Sequence, residues 1–313
     1  MNGVVIIDKP AGKTSHDVVS AVKRILGVKK AGHTGTLDPM ATGVLPVCLN
    51  EATKLAGFLT ADSKEYRAIM LLGVKTDTQD TEGKITGQSD KVVTPDEIKA
   101  ALAGMVGKIK QVPPAYSAVK YCGEPLYKWA RRGVMLDATP REVEIQSIIV
   151  EDISFPRVTF SVVCSKGTYI RTLCADIGEL LGCGACLCGL RRLRSGYFSE
   201  DMAVSLDNMS GADKKGELAA KILPMAKLLP LLTAIEIEDS FVDRLRDGFQ
   251  PSVEAMKAHV LPFLETGDMV KFISRSGCLV ALAEMIAPVS NFPEIDEKCQ
   301  AAKIVRVFNS VQN

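Results

Sequence analysis

The sequence predicts a two-domain protein of mixed helix and strand, with a large α/β domain followed by a small one. The chain has 313 residues, which exceeds the length at which a single hydrophobic core usually stops growing. Apolar residues make up 47% of the chain and charged residues 24%, the mixture of an ordinary globular protein. Short apolar segments with strand character alternate with amphipathic segments of helical period, so the pattern does not favour a disordered chain.

The first half of the chain predicts strands separated by two capped helices. Thr14 and Asp17 form a capping box, after which apolar residues recur at helical spacing until Gly27. A second box, Thr94 with Glu97, opens a helix that runs to about residue 105. Strands are predicted at 4–8, 44–49 and 64–72, with a short helical stretch at 51–59.

The segment 75–84 between these elements is rich in acids. Asp77, Asp80 and Glu82 suggest calcium at first sight, but the segment lacks the alternating acids and the distant Glu of an EF-hand. We therefore predict a surface turn.

The second half of the chain predicts more strands and one further change of pattern. Segment 108–140 mixes prolines, aromatics and basic residues, which favours an ordered loop or a flap. Strands at 142–153 and 157–164 precede a helix at 173–181 and a basic strand that ends near 198. A new small pattern begins near 233, with a helix at 241–246 and strands at 269–273 and 278–285. We predict domains at 1–230 and 231–313.

Charge and cysteine content limit the functional classes. The net charge is +1, so the whole-chain balance does not indicate a nucleic-acid partner, but basic residues cluster locally. A basic face on a neutral protein can bind a polyanion, although each cluster alone is more typical of a solvated surface. The clusters are Lys23, Arg24, Lys29 and Lys30; Lys128, Arg131 and Arg132; and Arg191, Arg192 and Arg194.

The nine cysteines are odd in number and scattered, which is typical of a reducing compartment, and no apolar run is long enough for a membrane span. We expect a cytoplasmic protein that does not enter a membrane. Cys183, Cys186 and Cys188 lack the paired spacing of a zinc site and predict small buried residues.

The segment 31–45, AGHTGTLDPMATGVL, is built to aim one acid. Gly32 and Gly35 permit unusual backbone angles, and Pro39 pushes Asp38 out of the helical region. For an isolated Asp-Pro, a turn between a helix and a strand would be the ordinary interpretation. No Lys, Arg or second carboxylate lies within the fifteen residues, so any charge that tunes Asp38 must come from elsewhere; the only other titratable side chain in the segment is His33.

This segment resembles the catalytic motif of the bacterial tRNA pseudouridine-55 synthases, the TruB family. Further motifs that match the family follow in the family's order and cover most of the first 200 residues. They are DKP at 8–10, GHTGTLDP at 32–39, KEYRA at 64–68, QVPPAYSAVK at 111–120, KGTYIRTL at 166–173 and LRRLRSG at 190–196.

The resemblance implies a role for each matching residue. Asp38 matches the essential aspartate, whether it attacks C1′ or C6 or abstracts a ribose proton. Tyr66 matches the tyrosine that stacks on the flipped uracil, and Arg171 matches the arginine paired with the aspartate. The residues that match nucleotide-contacting or supporting positions are His33, Tyr169, Leu190 and Lys9 with Pro10. A guanidinium beside Asp38 should lower the pKa of its carboxyl group by roughly 1 to 3 and keep it charged.

The resemblance also implies the fold and the chemistry. We expect an α/β (α+β) catalytic domain on a mixed, largely antiparallel sheet flanked by helices, followed by a small β-rich PUA-like domain that binds RNA. The reaction would isomerise uridine-55 in the T-loop of tRNA, with no cofactor and no metal, in a protein that we expect to be a monomer. The segment 108–140 would contact the RNA by stacking and phosphate contacts.

Two alternatives remain at this point. The first is an RNA chaperone that folds tRNA with or without catalysis. The second is a glycosidase, which would need a carboxylic acid as proton donor; no motif in the sequence presents one.

Overall fold

The computed structural model describes residues 1–60, 63–136, 138–207 and 213–309. The strands are β1 Gly3–Lys9, β2 Ala31–His33, β3 Thr42–Leu49, β4 Lys64–Leu72, β5 Val74–Thr76, β6 Ile85–Gln88, β7 Gly107–Gln111, β8 Lys120–Tyr121, β9 Glu124–Pro125, β10 Arg141–Ser154, β11 Arg157–Cys164, β12 Ala185–Ser195, β13 Phe198–Ser199, β14 Leu223–Pro224, β15 Thr233–Ile237, β16 Met269–Ser274, β17 Leu279–Met285 and β18 Ala302–Val307. The α-helices are α1 Ser15–Leu26, α2 Ala56–Leu59, α3 Pro95–Ala103, α4 Leu126–Arg131, α5 Ile170–Leu181, α6 Lys214–Ala219, α7 Asp239–Arg246 and α8 Val253–Lys257.

Ten of the described strands in the first 224 residues build one large sheet in the order β14-β1-β3-β12-β4-β11-β10-β7, with β2 paired to β3 and β13 paired to β12. The strand pairs β5-β6 and β8-β9 form two small sheets of their own. The pairing of β3 with β12 is parallel and the other pairings in this sheet are antiparallel. A second sheet, β15-β16-β17-β18, follows near the C-terminus. The predicted fold class, a mixed and largely antiparallel sheet followed by a β-rich part, is confirmed.

The two predicted capping boxes are present. The Thr14 hydroxyl accepts from the Asp17 amide while the Asp17 carboxylate accepts from the Thr14 amide, and Gly27 ends α1 in the left-handed conformation at φ +66°. Thr94 and Glu97 open α3 in the same way. These local signals place α1 and α3 where the sequence predicted them.

The large sheet is buried on both faces at β1 and β3, and β1 shows how the sequence achieves this. Because neighbouring strand residues point to opposite faces, Val5 and Ile7 pack in the core beneath α1 and α5. Val4 and Ile6 point the other way and pack against Leu282 and other residues of the C-terminal part. The C-terminal sheet thus covers one face of the large sheet at β1 and β3, and the core beneath the helices lies on the opposite face.

Several elements differ from the sequence predictions. The weak pattern at 108–140 hides the edge strand β7, a small β8–β9 hairpin and α4. The helix predicted at 173–181 begins at Ile170, so Arg171 lies in its first turn. Strand β18 was not predicted at all. The domain bounds 1–230 and 231–313 stay a prediction, and residues 61–62, 137, 208–212 and 310–313 lie outside the described part of the chain.

Candidate active site

The loop that carries Asp38 is held from below by β1 and α1. The Lys9 ammonium donates to the carbonyl of Pro39 at 3.0 Å and to that of Pro10 at 2.8 Å. The Ser15 hydroxyl donates to the Leu37 carbonyl at 3.0 Å and accepts from the Leu37 amide at 2.8 Å. Lys9 and Ser15 are both fully or almost fully buried. The backbone around Asp38 is therefore fixed on both sides of the acid.

Asp38 forms a two-pronged ion pair with Arg171. The Nε of Arg171 lies 2.9 Å from Asp38 Oδ2, and its Nη2 donates to Asp38 Oδ1 at 3.2 Å. The Arg171 side chain is 5% exposed, whereas the Asp38 side chain is 34% exposed. Fork-to-carboxylate contacts of this kind fix direction as well as charge. The pair joins residues 133 positions apart in the chain, as the resemblance implied.

Arg171 is itself held by groups that the sequence did not single out. Its guanidinium donates to the carbonyls of Thr78 at 3.2 Å and Tyr116 at 2.9 Å, and Nη1 lies 3.7 Å from Oδ2 of Asp80. The Asp80 carboxylate in turn accepts from the Thr78 hydroxyl at 2.6 Å and from the Glu82 amide at 3.1 Å. One guanidinium thus lies between two carboxylates.

The prediction of a surface turn at 75–84 is wrong for its central acid. Asp80 is 5% exposed, because the turn docks on β12 through backbone bonds between Gln79, Thr81 and Leu187. The acid-rich composition of the turn is a signal, but only the tertiary docking shows which acid is buried. Ser15 gave no separate signal, since it lies in the first turn of a helix that already had a complete capping box.

The pKa of Asp38 moves in the direction opposite to the predicted one. Burial disfavours the charged carboxylate and raises its pKa above the ordinary value, even though part of the side chain is accessible. Arg171 opposes this effect and Asp80 adds to it through like-charge repulsion. The expectation of a lowered pKa was wrong because it counted the guanidinium and left out burial and the second acid.

Tyr66 and Leu190 lie on one face of the sheet beside the Asp38 loop. In the register of β12 with β4, Leu190 is opposite Ala68 and Arg192 is opposite Tyr66. Directly opposed residues of an antiparallel pair point to the same face. Tyr66 is 8% exposed, and burial raises the pKa of its hydroxyl, with a further contribution from the negative charge of Asp38. The structure thus brings Asp38, Arg171 and Tyr66 into one neighbourhood.

The remaining predicted residues lie around this neighbourhood. His33 ends β2, and its Nδ1 accepts from the Gly35 amide at 3.3 Å. Burial lowers the pKa of His33, helped by the positive charge of Arg192. Tyr169 precedes α5, where its backbone forms two bonds with the side chain of Gln111. Burial lowers the pKa of Lys9 to about 8, and its bonds to loop carbonyls make it a supporting group.

The three basic clusters differ in exposure. Lys23, Arg24, Lys29 and Lys30 are exposed, as are Lys128, Arg131 and Arg132, although Arg132 pairs with Glu124. The third cluster is not a free basic surface. Arg191 pairs with Asp8 and Glu200, Arg194 pairs with Glu65, and Arg192 is 1% exposed.

Other features bear on the alternatives raised by the sequence. Cys183 and Cys186 are buried and Cys188 is partly buried, in agreement with their predicted role as small packed residues. Within the described ranges, no group of three or more His, Cys, Asp or Glu side chains is arranged to hold a metal ion. No helix in the same part of the chain is long and apolar enough to cross a membrane.

Two open grooves lie elsewhere on the molecule. One, of about 640 Å³, is lined by the N-terminus, the end of α1 and Asn309. The other, of about 440 Å³, lies between β7 and α5. Neither is lined by Asp38, Tyr66 or Arg171, and neither gathers a comparable set of charged groups around a reactive acid.

Comparison with known sequences gives a consistent picture over almost the whole chain. Residues 23–170 match the model of the TruB family pseudouridylate synthase N-terminal domain, and residues 171–230 match that of the tRNA pseudouridylate synthase B C-terminal domain. A tRNA pseudouridine synthase B of Syntrophus aciditrophicus is 52% identical over 99% of this chain and 99% of that protein. One of Geobacter sulfurreducens is 41% identical over 99% of this chain and 100% of that protein.

Solved structures extend the likeness to the fold. The chain is 32% identical to a chain of the crystal structure of a Cbf5-Nop10-Gar1 complex, with a TM-score of 0.72 over 98% of this chain and 85% of that one. A chain of an H/ACA RNP bound to a substrate RNA containing 2′-deoxyuridine is 30% identical, with a TM-score of 0.70 over the same shares. These likenesses cover the C-terminal β-rich part, which the two family models do not reach.

Proposed function

This chain belongs to the TruB family of pseudouridylate synthases, and we propose that it isomerises uridine-55 in the T-loop of tRNA to pseudouridine. Its relatives at 41% to 52% identity are tRNA pseudouridine synthases. The observation that carries the assignment of the site is the two-pronged ion pair between Asp38 and Arg171. It places a partly open carboxylate within the motif that resembles the family's catalytic loop.

The chemistry needs a fixed carboxylate and no net redox change. Pseudouridine formation breaks the bond between ribose C1′ and uracil N1, turns the base and rejoins it to the ribose through C5. Asp38 supplies the carboxylate, and the guanidinium of Arg171 stabilises its charged form against burial. Lys9 and Ser15 hold the loop, so the acid needs little reorganisation when the nucleotide arrives.

The base must leave its stack before it can react. Flipping a nucleotide costs a few kcal/mol, and stacking on one aromatic ring returns about 1–3 kcal/mol. Tyr66 provides such a ring, with Leu190, His33 and Tyr169 as further contacts to the nucleotide. Because one stack only balances the cost, contacts with the phosphates are needed as well. The exposed lysines and arginines near the end of α1 and on α4 are suited to that task.

The other parts of the proposal concern the partner and the compartment. We assign tRNA binding to the segment 108–140 and to the C-terminal part, 231–313, as a PUA-like domain that grips RNA. All nine cysteines are free thiols, which is consistent with a reducing cytoplasm, and we propose a monomeric enzyme. A non-catalytic RNA chaperone is not favoured, because the relatives at 41% to 52% identity are synthases.

A direct assay tests this function. The purified protein is incubated with unmodified tRNA transcript, and pseudouridine is mapped by carbodiimide labelling and primer extension. We expect one new stop at the T-loop uridine, which disappears in a transcript that carries cytidine there. Binding of tRNA without any pseudouridine would support a chaperone, and release of free uracil would support a glycosidase. Either result would overturn the proposal.

A further inference from the structure

Arg192 is a buried cation in the middle of β12, where the sequence predicted part of a basic surface. Its side chain is among the largest that are fully buried. The neighbouring Arg191 and Arg194 both pair with carboxylates. Among the residues whose positions the structure gives, no carboxylate forms an ion pair with Arg192. A buried charge without hydrogen bonds is very costly. The groups that accept hydrogen bonds from Arg192 therefore determine what this buried cation does.

The contacts of Arg192 are backbone carbonyls of the Asp38 loop and the strand that follows it. Its Nε donates to the Val44 carbonyl at 2.7 Å, and its Nη2 donates to the Gly35 carbonyl at 3.2 Å. Gly35 lies three positions before Asp38. Gly43 allows the backbones of β3 and β12 to lie close together at this point, because a Cβ there would lie 2.2 Å from the backbone carbonyl oxygen of Arg192. The guanidinium therefore ties the catalytic loop to β12.

The third contact of Arg192 is Tyr66. The two residues lie directly opposite each other in β12 and β4, which places both side chains on one face of the sheet. The guanidinium lies close enough to the Tyr66 hydroxyl to act on the pKa of that hydroxyl, first through its charge and then through hydrogen bonding. A guanidinium can only donate, so the phenol oxygen of Tyr66 must accept. The hydroxyl proton of Tyr66 is then directed away from Arg192.

We propose that Arg192 is a positioning residue that holds the Tyr66 ring and the direction of its hydroxyl in register with the Asp38 loop. The inference rests on the proposed function and goes beyond it by linking the stacking residue to the catalytic acid through one cation. Arg192 does not need to touch the substrate for this role. The groups that face the Tyr66 hydroxyl are Arg192, Cys164 on β11 and Asp38. Burial keeps the pKa of the phenol above its ordinary value despite the nearby cation, so the effect of Arg192 is placement of a neutral phenol.

A double-mutant cycle separates this role from a general structural one. Arg192→Lys keeps the charge and removes the planar fork, and it is made alone and together with Tyr66→Phe. We expect the single-turnover rate to fall about tenfold to a hundredfold for Arg192→Lys, as a small misplacement can cause. We expect tRNA affinity to stay within about threefold. In the Tyr66→Phe background the same replacement should change the rate by less than about threefold.

The matched control is Arg194→Lys, on the same strand but paired with the half-exposed Glu65. It should leave the single-turnover rate unchanged. The same fold loss for Arg192→Lys in both backgrounds would overturn the inference, because Arg192 would then act independently of the Tyr66 hydroxyl. A loss confined to tRNA affinity would overturn it as well.

A second measurement leaves Arg192 in place and does not depend on activity. The side-chain N–H resonances of the arginines are compared between the wild type and Tyr66→Phe by NMR, with Arg192→Lys used for assignment where it folds and selective labelling otherwise. We expect the Arg192 resonances to shift when the phenol oxygen is removed. Unchanged Arg192 resonances would overturn the contact. If the wild type forms no pseudouridine, the proposed function fails, while this comparison still decides whether Arg192 holds Tyr66.

Discussion

Two loops of this protein deliver an aspartate to the same guanidinium, and they differ in how much of the acid stays open. Asp38 keeps 34% of its side chain exposed and lies 2.9 Å from Arg171. The Asp80 side chain is 7% exposed and lies 3.7 Å from Arg171, and its carboxylate accepts hydrogen bonds from its own turn. The open acid is free to meet a substrate. Asp80 is buried and contacts Arg171, so its role is to hold Arg171 in place. Two aspartates beside one arginine therefore have different roles.

Neutralising Asp38, the more exposed of the two aspartates, is the strongest test of this difference. Asp38→Asn keeps the size of the side chain and removes its negative charge. We expect pseudouridine formation to fall below detection, because the neutral amide cannot replace the ionised carboxylate that the proposed reaction requires. Affinity for tRNA, measured by filter binding, should stay within a few-fold of the wild type. Retained turnover would end the assignment of Asp38.

Removing the shared cation should have the next largest effect. Arg171→Met leaves two carboxylates without their partner, and breaking a buried ion pair costs about 3–5 kcal/mol of stability. We expect both a lower unfolding midpoint in urea and a rate at least about a hundredfold lower. Arg157→Met, at the exposed start of β11, is the control for the loss of one arginine. Wild-type stability in Arg171→Met would mean that the pair is not buried in solution.

Neutralising the closed acid tests whether Asp80 acts through Arg171. Asp80→Asn should slow single turnover by about tenfold to a hundredfold, since a misplaced Arg171 would misplace Asp38, and leave tRNA affinity unchanged. Asp77→Asn is the matched control in the same turn, because Asp77 bonds only to the backbone of Lys84. Equal effects of the two replacements would show that the turn as a whole matters and not its contact with Arg171.

Removing the hydrogen bonds that Ser15 makes to the Asp38 loop should have the smallest effect. Ser15→Ala removes the hydroxyl that serves both the amide and the carbonyl of Leu37. Leaving buried backbone groups unpaired costs about 1–3 kcal/mol, so we expect a lower midpoint of thermal unfolding and a rate within about tenfold of the wild type. Ser20→Ala, on the exposed side of α1, should change neither quantity.

Much of the fold was predictable because its signals are local. The capping boxes at Thr14 and Thr94, the glycine that ends α1 and the continuous apolar run of β1 all act within a few residues. The pairing of Asp38 with Arg171 was predictable only through the resemblance to a family, since 133 positions separate the two residues. No periodicity reports a contact at that distance.

The features that escaped prediction depend on tertiary burial. Asp80 and Arg192 look like surface charges in the sequence, and each is buried because a neighbouring strand or turn closes over it. Strand β7 was missed because alternating Lys108 and Lys110 occupy the exposed positions of an edge strand, as edge strands often require. The pKa of Asp38 was predicted in the wrong direction for the same reason, because burial cannot be counted from the motif.

The pH dependence of the single-turnover rate tests most directly whether the reacting group is an ionised Asp38 between Arg171 and Asp80. The rate should fall as pH falls through the pKa of Asp38, at a midpoint above the ordinary aspartate value of about 3.9, since burial raises it. Arg171→Lys should move this midpoint to higher pH, because lysine keeps the charge but loses the two-pronged hydrogen bonding that lowers the pKa of Asp38. Asp80→Asn should move it to lower pH, because it removes a negative charge that raises the pKa of Asp38. A midpoint that stays in place in both variants would contradict the account.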